Sequence, residues 1–268
     1  MTREELVAEI QHKKSFLCVG LDPDFDKIPE EYKTFEDPLF EFNKAVIDAT
    51  KDFAVAYKPN LAFYECHGAK GIASLQKTLE YIPKNIFTIA DAKRGDIGNT
   101  SKMYAEAYFK TMGFSSITLS PYMGSDSILP YLDYPNKWVI ILAATSNAGA
   151  QDFQFIKTEN NCHVFEDVLK ISSQYGNDSN TMYVLGATRP EILKQARAVV
   201  PNHFFLVPGV GAQGGSLEDV YNAGANSEVG LLVNSSRGII FPKSDLPHKE
   251  ACRQAANKMQ LEMAALLG

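Results

Sequence analysis

Apolar residues in this chain recur as short continuous runs, each ending in polar residues, and not as an alternating pattern. Continuous apolar runs are typical of strands that are buried on both faces of a parallel sheet. The pattern therefore predicts eight strands, at residues 16–20, 54–57, 87–90, 116–119, 138–143, 182–185, 204–207 and 230–233.

Segments with helical spacing of apolar residues separate most of these runs. The first begins at the N-terminus, where Thr2 and Glu5 have the spacing of a capping box. The others are predicted at 39–51, 71–81, 101–111, 190–200 and 249–267. Eight strands alternating with helices predict an α/β fold, a single (β/α)8 TIM barrel with its active site at the C-terminal ends of the strands. An open doubly wound sheet is the alternative.

Two intervals, 22–53 and 147–181, are longer than one connecting helix requires. Long connections at the functional end of a barrel often act as lids, although they also occur without a function. The sequence contains no linker-like composition, internal repeat or low-complexity tract. We therefore expect residues 1–268 to form one barrel domain.

Composition narrows the possible partners and location. The chain has 268 residues, of which 45% are hydrophobic, and a net charge of −6. The acidic balance argues against nucleic acid as a partner. The N-terminus is too charged for a signal peptide and no apolar run approaches a membrane span, which predicts a cytoplasmic protein without membrane contact.

Cysteine and histidine give little sign of metal or redox chemistry. The cysteines are widely dispersed and form no CxxC pair, which predicts reduced, mostly buried thiols; they are Cys18, Cys66, Cys162 and Cys252. The five histidines are not paired at ligand spacing. Because a metal site needs clustered donors, we expect none.

The most informative segment is the charged run that follows residues 87–90. Asp91, Lys93 and Asp96 place acid, base and acid within six residues, and Lys58 has a comparable position after 54–57. Neighbouring charges of this kind fix each other's protonation state. Carboxylates keep Lys93 protonated, which suits a proton donor better than a Schiff-base nucleophile. A surface salt-bridge cluster is the alternative, but adjoining a buried strand favours an active site.

Polar residues also follow most of the other predicted strands. In a barrel all C-terminal strand ends meet at one face, so these side chains are expected to converge. They include Asp22, Lys58, Asp91, Lys93, Ser146, Asn147, Thr188, Arg189, Gln213 and Arg237. Asp22 could accept a ribose hydroxyl or serve as a turn residue before Pro23, and Ser146 could equally be a turn hydroxyl.

The segments after strands seven and eight predict a phosphate site. Residues 207–215 are rich in glycine, and such a loop can direct several backbone N–H groups to one point. Arg237, in the segment 234–238, adds a guanidinium that binds phosphate bidentately. Glycines also serve tight turns, but barrels often bind phosphate at these two loops. The candidate ligands are Pro208, Gly211, Gln213, Ser236 and Arg237.

These residues resemble the orotidine 5′-phosphate decarboxylase family, and in particular its longer bacterial (type 2) subfamily. The family signature Asp-x-Lys-x-x-Asp-Ile-x-x-Thr is matched by Asp91, Lys93, Asp96, Ile97 and Thr100. The run Lys58-Pro-Asn, the Gly-rich segment 207–215 and Arg237 follow in the family's order, and the run 120–126 looks like that subfamily.

The resemblance implies a carboxy-lyase that converts orotidine 5′-phosphate to uridine 5′-phosphate (UMP) and CO2 without cofactor or metal, in the last step of de novo UMP synthesis. It implies catalytic roles for Lys58, Asp91, Lys93 and Asp96. It also implies a homodimer in which Asp96, Ile97 and Thr100 reach the partner's site. Ser146 and Gln213 would contact the pyrimidine, and Gln213 would also reach the phosphate.

Two other functions remain open at the level of sequence. A related barrel with a similar Asp-x-Lys arrangement could act on sugar phosphates through a metal-bound enediolate, which would need a further carboxylate ligand. A nucleotide-binding protein without turnover is the other alternative. It would not need Asp91 to face an anionic substrate.

Overall fold

The computed structural model describes residues 1–210 and 215–268. Its centre is a closed barrel of parallel strands that pair in chain order, and β1 also pairs with β8. That last pairing confirms the predicted (β/α)8 barrel and excludes the open sheet. The strands are β1 Leu17–Leu21, β2 Ala54–Pro59, β3 Phe87–Arg94, β4 Ser116–Leu119, β5 Trp138–Ala144, β6 Thr181–Leu185, β7 Phe204–Pro208 and β8 Leu231–Ser235.

Helices surround the barrel and connect its strands. In the described ranges the α-helices are α1 Arg3–Lys13, α2 Glu30–Lys33, α3 Pro38–Thr50, α4 Ala62–Glu65, α5 Gly68–Tyr81, α6 Gly98–Ala105, α7 Leu129–Leu132, α8 Val164–Ser172, α9 Pro190–Val199, α10 Leu217–Gly224, α11 Arg237–Ile240 and α12 His248–Leu267. A π-helix, Glu106–Thr111, continues α6, and 3₁₀ turns occur at Ser125–Ser127 and Ala148–Asp152.

The predicted strands are all present, but several extend further at their C-terminal ends. β2 includes Lys58, and β3 continues through Asp91 and Lys93 to Arg94. The expectation that the charged run lies beyond strand three was therefore wrong. The apolar run ends where the side chains begin to face the polar mouth of the barrel. The backbone pairing continues beyond that point, because Arg94 still pairs with Leu119.

The helices agree with the sequence at α1, where Thr2 and Glu5 form the predicted capping box. The segment predicted at 101–111 divides into α6 and the π-helix. The long interval 147–181 contains α8, which the prediction missed. Its capping-box pair, His163 and Glu166, was the available signal.

Aromatic rings close the N-terminal end of the barrel. Phe87, Trp138 and Phe204 begin the alternate strands β3, β5 and β7, and their rings pack edge to face with centroids 6.1 and 6.4 Å apart. Because these strands are not neighbours, the rings meet inside the barrel. The N-terminal segment covers them, since Arg3 stacks over Phe204 and the Trp138 indole donates to the carbonyl of Met1. The C-terminal end is left for polar side chains.

The cysteines divide between core and surface. Cys18 and Cys252 are buried, as expected, whereas Cys66 is exposed and Cys162 is half-buried; all four are free thiols. In the part of the chain that the structure describes, no helix combines the length and apolar character that a membrane span needs.

Candidate functional site

The ends of β2 and β3 place one carboxylate between two ammonium groups. Lys58 Nζ lies 2.8 Å from Asp91 Oδ2, and Lys93 Nζ lies 2.6 Å from Asp91 Oδ1. The Lys58 and Asp91 side chains are only 6% and 10% exposed, whereas Lys93 is 50% exposed. The array is therefore anchored in the barrel and opens toward solvent at Lys93.

Burial and charge compete at these groups, and charge prevails. Burial alone would raise the pKa of Asp91, but the ammonium groups of Lys58 and Lys93 lower it to about 2. Burial alone would lower the pKa of Lys58, but the carboxylates of Asp91 and Asp22 raise it above its ordinary value. Asp91 and Lys58 are therefore both charged at neutral pH.

Asp96 does not join this array within one chain. Its carboxylate accepts a hydrogen bond from the N–H of Ile97 at 2.8 Å, and the ion pairs of the described residues do not link it to Lys93. Within one chain, Lys93 therefore pairs with Asp91 and not with Asp96 among the described residues, and a role of Asp96 in the partner's site stays a prediction. The helix α6 begins at Gly98, and both Ile97 and Thr100 are exposed.

A cavity of about 420 Å³ opens beside the array at the C-terminal face of the barrel. It brings together predicted site residues from four strand ends, namely Asp22, Lys58, Pro208, Ser236 and Arg237. Asp22 also accepts a hydrogen bond from the N–H of Asn60 at 3.3 Å, which orients its carboxylate beside Lys58. The fold therefore brings a cation, a carboxylate and three of the candidate phosphate ligands to one cavity, as predicted.

The wall of this cavity depends on a close approach between β1 and the segment after β8. Asn234 donates to Ser236 Oγ at 3.3 Å and accepts a weak bond from the Cys18 thiol at 3.6 Å. A methyl group at Gly20 would lie 1.8 Å from Ser236 Oγ. Glycine is therefore required at position 20 if Ser236 is to keep this place.

Ser146 follows β5 and is half-buried. A methyl group at Gly186, directly after β6, would come within 2.9 Å of the backbone nitrogen of Ser146, so the two strand ends are in close contact. The connection beyond Ser146 is tied down by Gln154, which bonds to Thr145, and by Arg189, whose guanidinium bonds to the Gln151 amide. The predicted Gly211 and Gln213 lie outside the described residues.

Sequence reasoning missed three polar residues at the site. Asn60 and Asn234 occur in segments already singled out, Lys58-Pro-Asn and 234–238, so their positions gave a signal. Thr118 lies within β4 and contacts both Asp91 and Lys93. A threonine in a buried strand gives no such signal, because threonine is also a common strand residue.

Comparison with known proteins places this arrangement in a family. Residues 15–254 match the model of the Orotidine 5'-phosphate decarboxylase / HUMPS family. The chain belongs to that family. It is 54% identical to the orotidine 5'-phosphate decarboxylase of Flavobacterium johnsoniae, over 100% of this chain and 98% of the relative. It is 53% identical to that of Bacteroides fragilis, with the same coverage.

Solved structures agree with the family assignment. The Leishmania donovani OMP decarboxylase is 37% identical, has a TM-score of 0.85 and is covered to 99% in both chains. The Leishmania donovani UMP synthase is 38% identical with a TM-score of 0.86, and this chain covers 56% of its length. The resemblance drawn from the Asp-x-Lys signature is thus confirmed, as is the expectation of an enzyme of the decarboxylase class.

The contact between Gly20 and Ser236 generates a first prediction. Gly20→Ala should lower the free energy of unfolding by about 1–3 kcal/mol, because the new methyl group overlaps the Ser236 side chain. Urea denaturation measures the change. Adding Ser236→Gly, which removes the overlapping atoms, should restore most of the loss. A double variant as unstable as the single one would contradict this explanation.

Proposed function

We propose that this chain converts orotidine 5′-phosphate to UMP and CO2, the last step of UMP synthesis, using only its own side chains. The observation that carries the proposal is the Asp91 carboxylate held between the ammonium groups of Lys58 and Lys93. The curated bacterial relatives, which match the whole chain, bear the name of this activity. We also infer that residues 1–268 act as one domain, which the closure of β1 on β8 supports.

The chemical problem is the charge left on the pyrimidine. When the bond between the ring carbon and the carboxylate breaks, its electron pair stays on the ring carbon and CO2 leaves. A fixed ammonium near that carbon stabilises the developing charge in the transition state. We assign this role to Lys93 because Asp91 holds its ammonium at 2.6 Å while half of its side chain remains accessible. Its Nζ then gives a proton to the carbon, which yields UMP and a neutral amine that solvent reprotonates.

Asp91 has two roles in this scheme. It holds Lys58 and Lys93 in fixed positions, and its own negative charge faces the substrate carboxylate, which disfavours the bound substrate more than the transition state. Both roles require an ionised carboxylate. The lowered pKa of Asp91, about 2, supports this state at any physiological pH.

The remaining groups suit a nucleotide monophosphate. Arg237 and Ser236, with Pro208 and the predicted Gly211 and Gln213, are assigned to the phosphate. Asp22 lies in the same cavity, beside Lys58 of the charged array, and is assigned to a ribose hydroxyl. Ser146 and Gln213 are assigned to the pyrimidine. The grip on the phosphate is remote from the reacting bond, so its binding energy can support orientation of the ring.

We further propose a homodimer in which Asp96, Ile97 and Thr100 complete the partner's site. Support comes from the exposure of Ile97 and Thr100 and from further exposed apolar side chains in the adjoining segments. Ile97 and Met103 are 51% and 52% exposed, and Tyr122 and Met123 are 92% and 45% exposed. Met123 adjoins the segment, since its Cε would lie 3.8 Å from a methyl group at Gly95. An exposed apolar cluster of this kind is typical of a protein interface.

The sugar-phosphate alternative is disfavoured by the same ion pairs. A divalent cation would need carboxylate oxygens, yet both oxygens of Asp91 already accept ammonium groups at 2.8 and 2.6 Å. The deciding experiment treats the protein with a chelator and then measures its turnover of orotidine 5′-phosphate. The loss of substrate absorbance is the readout. UMP binding without turnover would favour the non-catalytic alternative, and activity that returns only with added metal would contradict the proposed mechanism.

The role of Lys93 gives the second prediction. Lys93→Ala should reduce kcat by at least about 100- to 1,000-fold, since it removes a transition-state charge and the proton donor together. Lys84→Ala, at an exposed position before β3, is the matched control and should retain normal turnover. Circular dichroism should show the same fold in both. Near-normal turnover by a folded Lys93→Ala protein would rule out Lys93 as the donor.

The third prediction separates phosphate binding from the rest of the site. Arg237→Ala should weaken UMP binding about 10- to 100-fold, the loss of a charge-assisted pair, and should leave the weaker binding of uridine nearly unchanged. Calorimetric titration with both ligands measures this. Arg253→Ala removes a similar charge from a distant pair with Asp52 and is the control. Equal losses for the two ligands would place Arg237 away from the phosphate.

The fourth prediction tests the shared site. Mixing inactive Asp96→Ala and Lys93→Ala subunits should restore activity, because each heterodimer contains one site with both changes and one with neither. Random exchange makes about half of the dimers mixed and about a quarter of all sites intact, if the dimer is two-fold symmetric. Differently tagged chains report whether exchange has occurred. Heterodimers that form without regaining activity would place Asp96 in its own chain's site.

A further inference from the structure

The strand that carries Asp91 and Lys93 is irregular where it pairs with β4. Ala90 pairs with Ile117 and Arg94 pairs with Leu119, so three residues of β3 face a single residue of β4, Thr118. A bulge of this kind leaves backbone groups without their ladder partners and redirects side chains. Within it, Lys93 has a φ of 49°, in the left-handed region that non-glycine residues rarely occupy.

The side chain of Thr118 replaces the missing ladder contact. Its hydroxyl accepts a hydrogen bond from the backbone N–H of Lys93 at 2.9 Å and donates to Asp91 Oδ1 at 3.1 Å. Thr118 is 1% exposed, so water does not compete for these bonds. One buried hydroxyl therefore holds both the backbone that carries Lys93 and the carboxylate that its ammonium contacts.

We propose that Thr118 is a positioning residue for the decarboxylation, which sets the place of the Lys93 ammonium by joining the Lys93 backbone to the Asp91 carboxylate. The inference rests on the proposed function and goes beyond it, because Thr118 is buried beneath the charged array and is not assigned to the substrate. The groups around Asp91 come from several elements: Lys58 from β2, Lys93 from β3, Thr118 from β4 and Cys18 from β1, with Asp22 near Lys58. Among them, Thr118 contacts both Asp91 and the Lys93 backbone.

Two substitutions separate the hydroxyl from the volume of the side chain. Thr118→Val keeps the branched shape and removes the hydroxyl, so it leaves the Lys93 N–H and one Asp91 oxygen without this partner. Thr118→Ser keeps the hydroxyl and removes a methyl group. A role confined to packing would make serine the more harmful change, whereas a positioning role makes valine the more harmful one.

The experiment measures kcat and KM for orotidine 5′-phosphate and the Kd of UMP in the full-length wild type and both variants. We expect Thr118→Val to lower kcat about 10- to 100-fold, as a small displacement of a catalytic group does. KM and the Kd of UMP should change by less than about threefold, since the lost contact acts on the reacting step and not on the phosphate grip. Thr118→Ser should stay within about threefold of wild-type kcat.

A second measurement does not depend on turnover. In protein labelled with ¹⁵N-lysine, the amide of Lys93 should exchange with solvent faster in Thr118→Val than in wild type, and should remain protected in Thr118→Ser. If Thr118→Val fails to fold, Thr118→Ala replaces it, with Thr118→Ser as its reference because the two differ by the hydroxyl alone. If the wild type itself does not turn over orotidine 5′-phosphate, the proposed function fails, and amide exchange still decides whether Thr118 holds Lys93.

The inference is overturned by any of four results. One is a Thr118→Val enzyme with wild-type kcat. Another is a serine variant as impaired as the valine variant. The third is an unchanged Lys93 amide in the valine variant. A parallel loss of UMP binding and thermal stability would also overturn it, because a general packing defect would then account for the change.

Discussion

The site depends on one buried carboxylate. An isolated charge in the position of Asp91 would be strongly disfavoured, so its ionised form exists only because two ammonium groups and a hydroxyl compensate it. These partners come from β2, β3 and β4. The requirement to neutralise this one carboxylate therefore constrains the register of three neighbouring strands. A shift of β2 or β3 would leave an unpaired charge at the barrel mouth.

The barrel assigns stability and chemistry to opposite ends. At the N-terminal end the rings of Phe87, Trp138 and Phe204 fill the interior, and Arg3 covers them. At the C-terminal end lie the charged side chains of Lys58, Asp91 and Lys93 and the cavity lined by Asp22 and Arg237, which no apolar packing can replace. Because parallel strands point the same way, their C-terminal ends all lie at one face of the barrel, and the site forms at that face. The aromatic packing at the N-terminal end thus stabilises the barrel, although the polar groups at the C-terminal end contribute less to its stability.

Sequence was sufficient for the parts of the molecule that depend on local periodicity. It predicted all eight strands, the capping box at Thr2 and the meeting of Asp22, Lys58 and Arg237 at one face. It did not predict where β3 ends, because polar side chains at a barrel mouth interrupt the apolar run while pairing continues to Arg94. The role of Thr118 depends on a bulge between two strands, and a mismatch in pairing leaves no trace in the residues of either strand.

The unequal burial of the site has a consequence for its response to ionic strength. Lys58 and Asp91 lie almost wholly inside the barrel, whereas Arg237 is exposed. Dissolved ions screen charges that they can approach and have much less effect on buried pairs. If Arg237 binds the phosphate as proposed, salt would act mainly on that attraction and would leave the buried pair of Lys58 and Asp91 nearly unchanged. The two ends of the proposed substrate would then meet different environments, a screened solution at the phosphate and a largely unscreened protein interior at the buried pair.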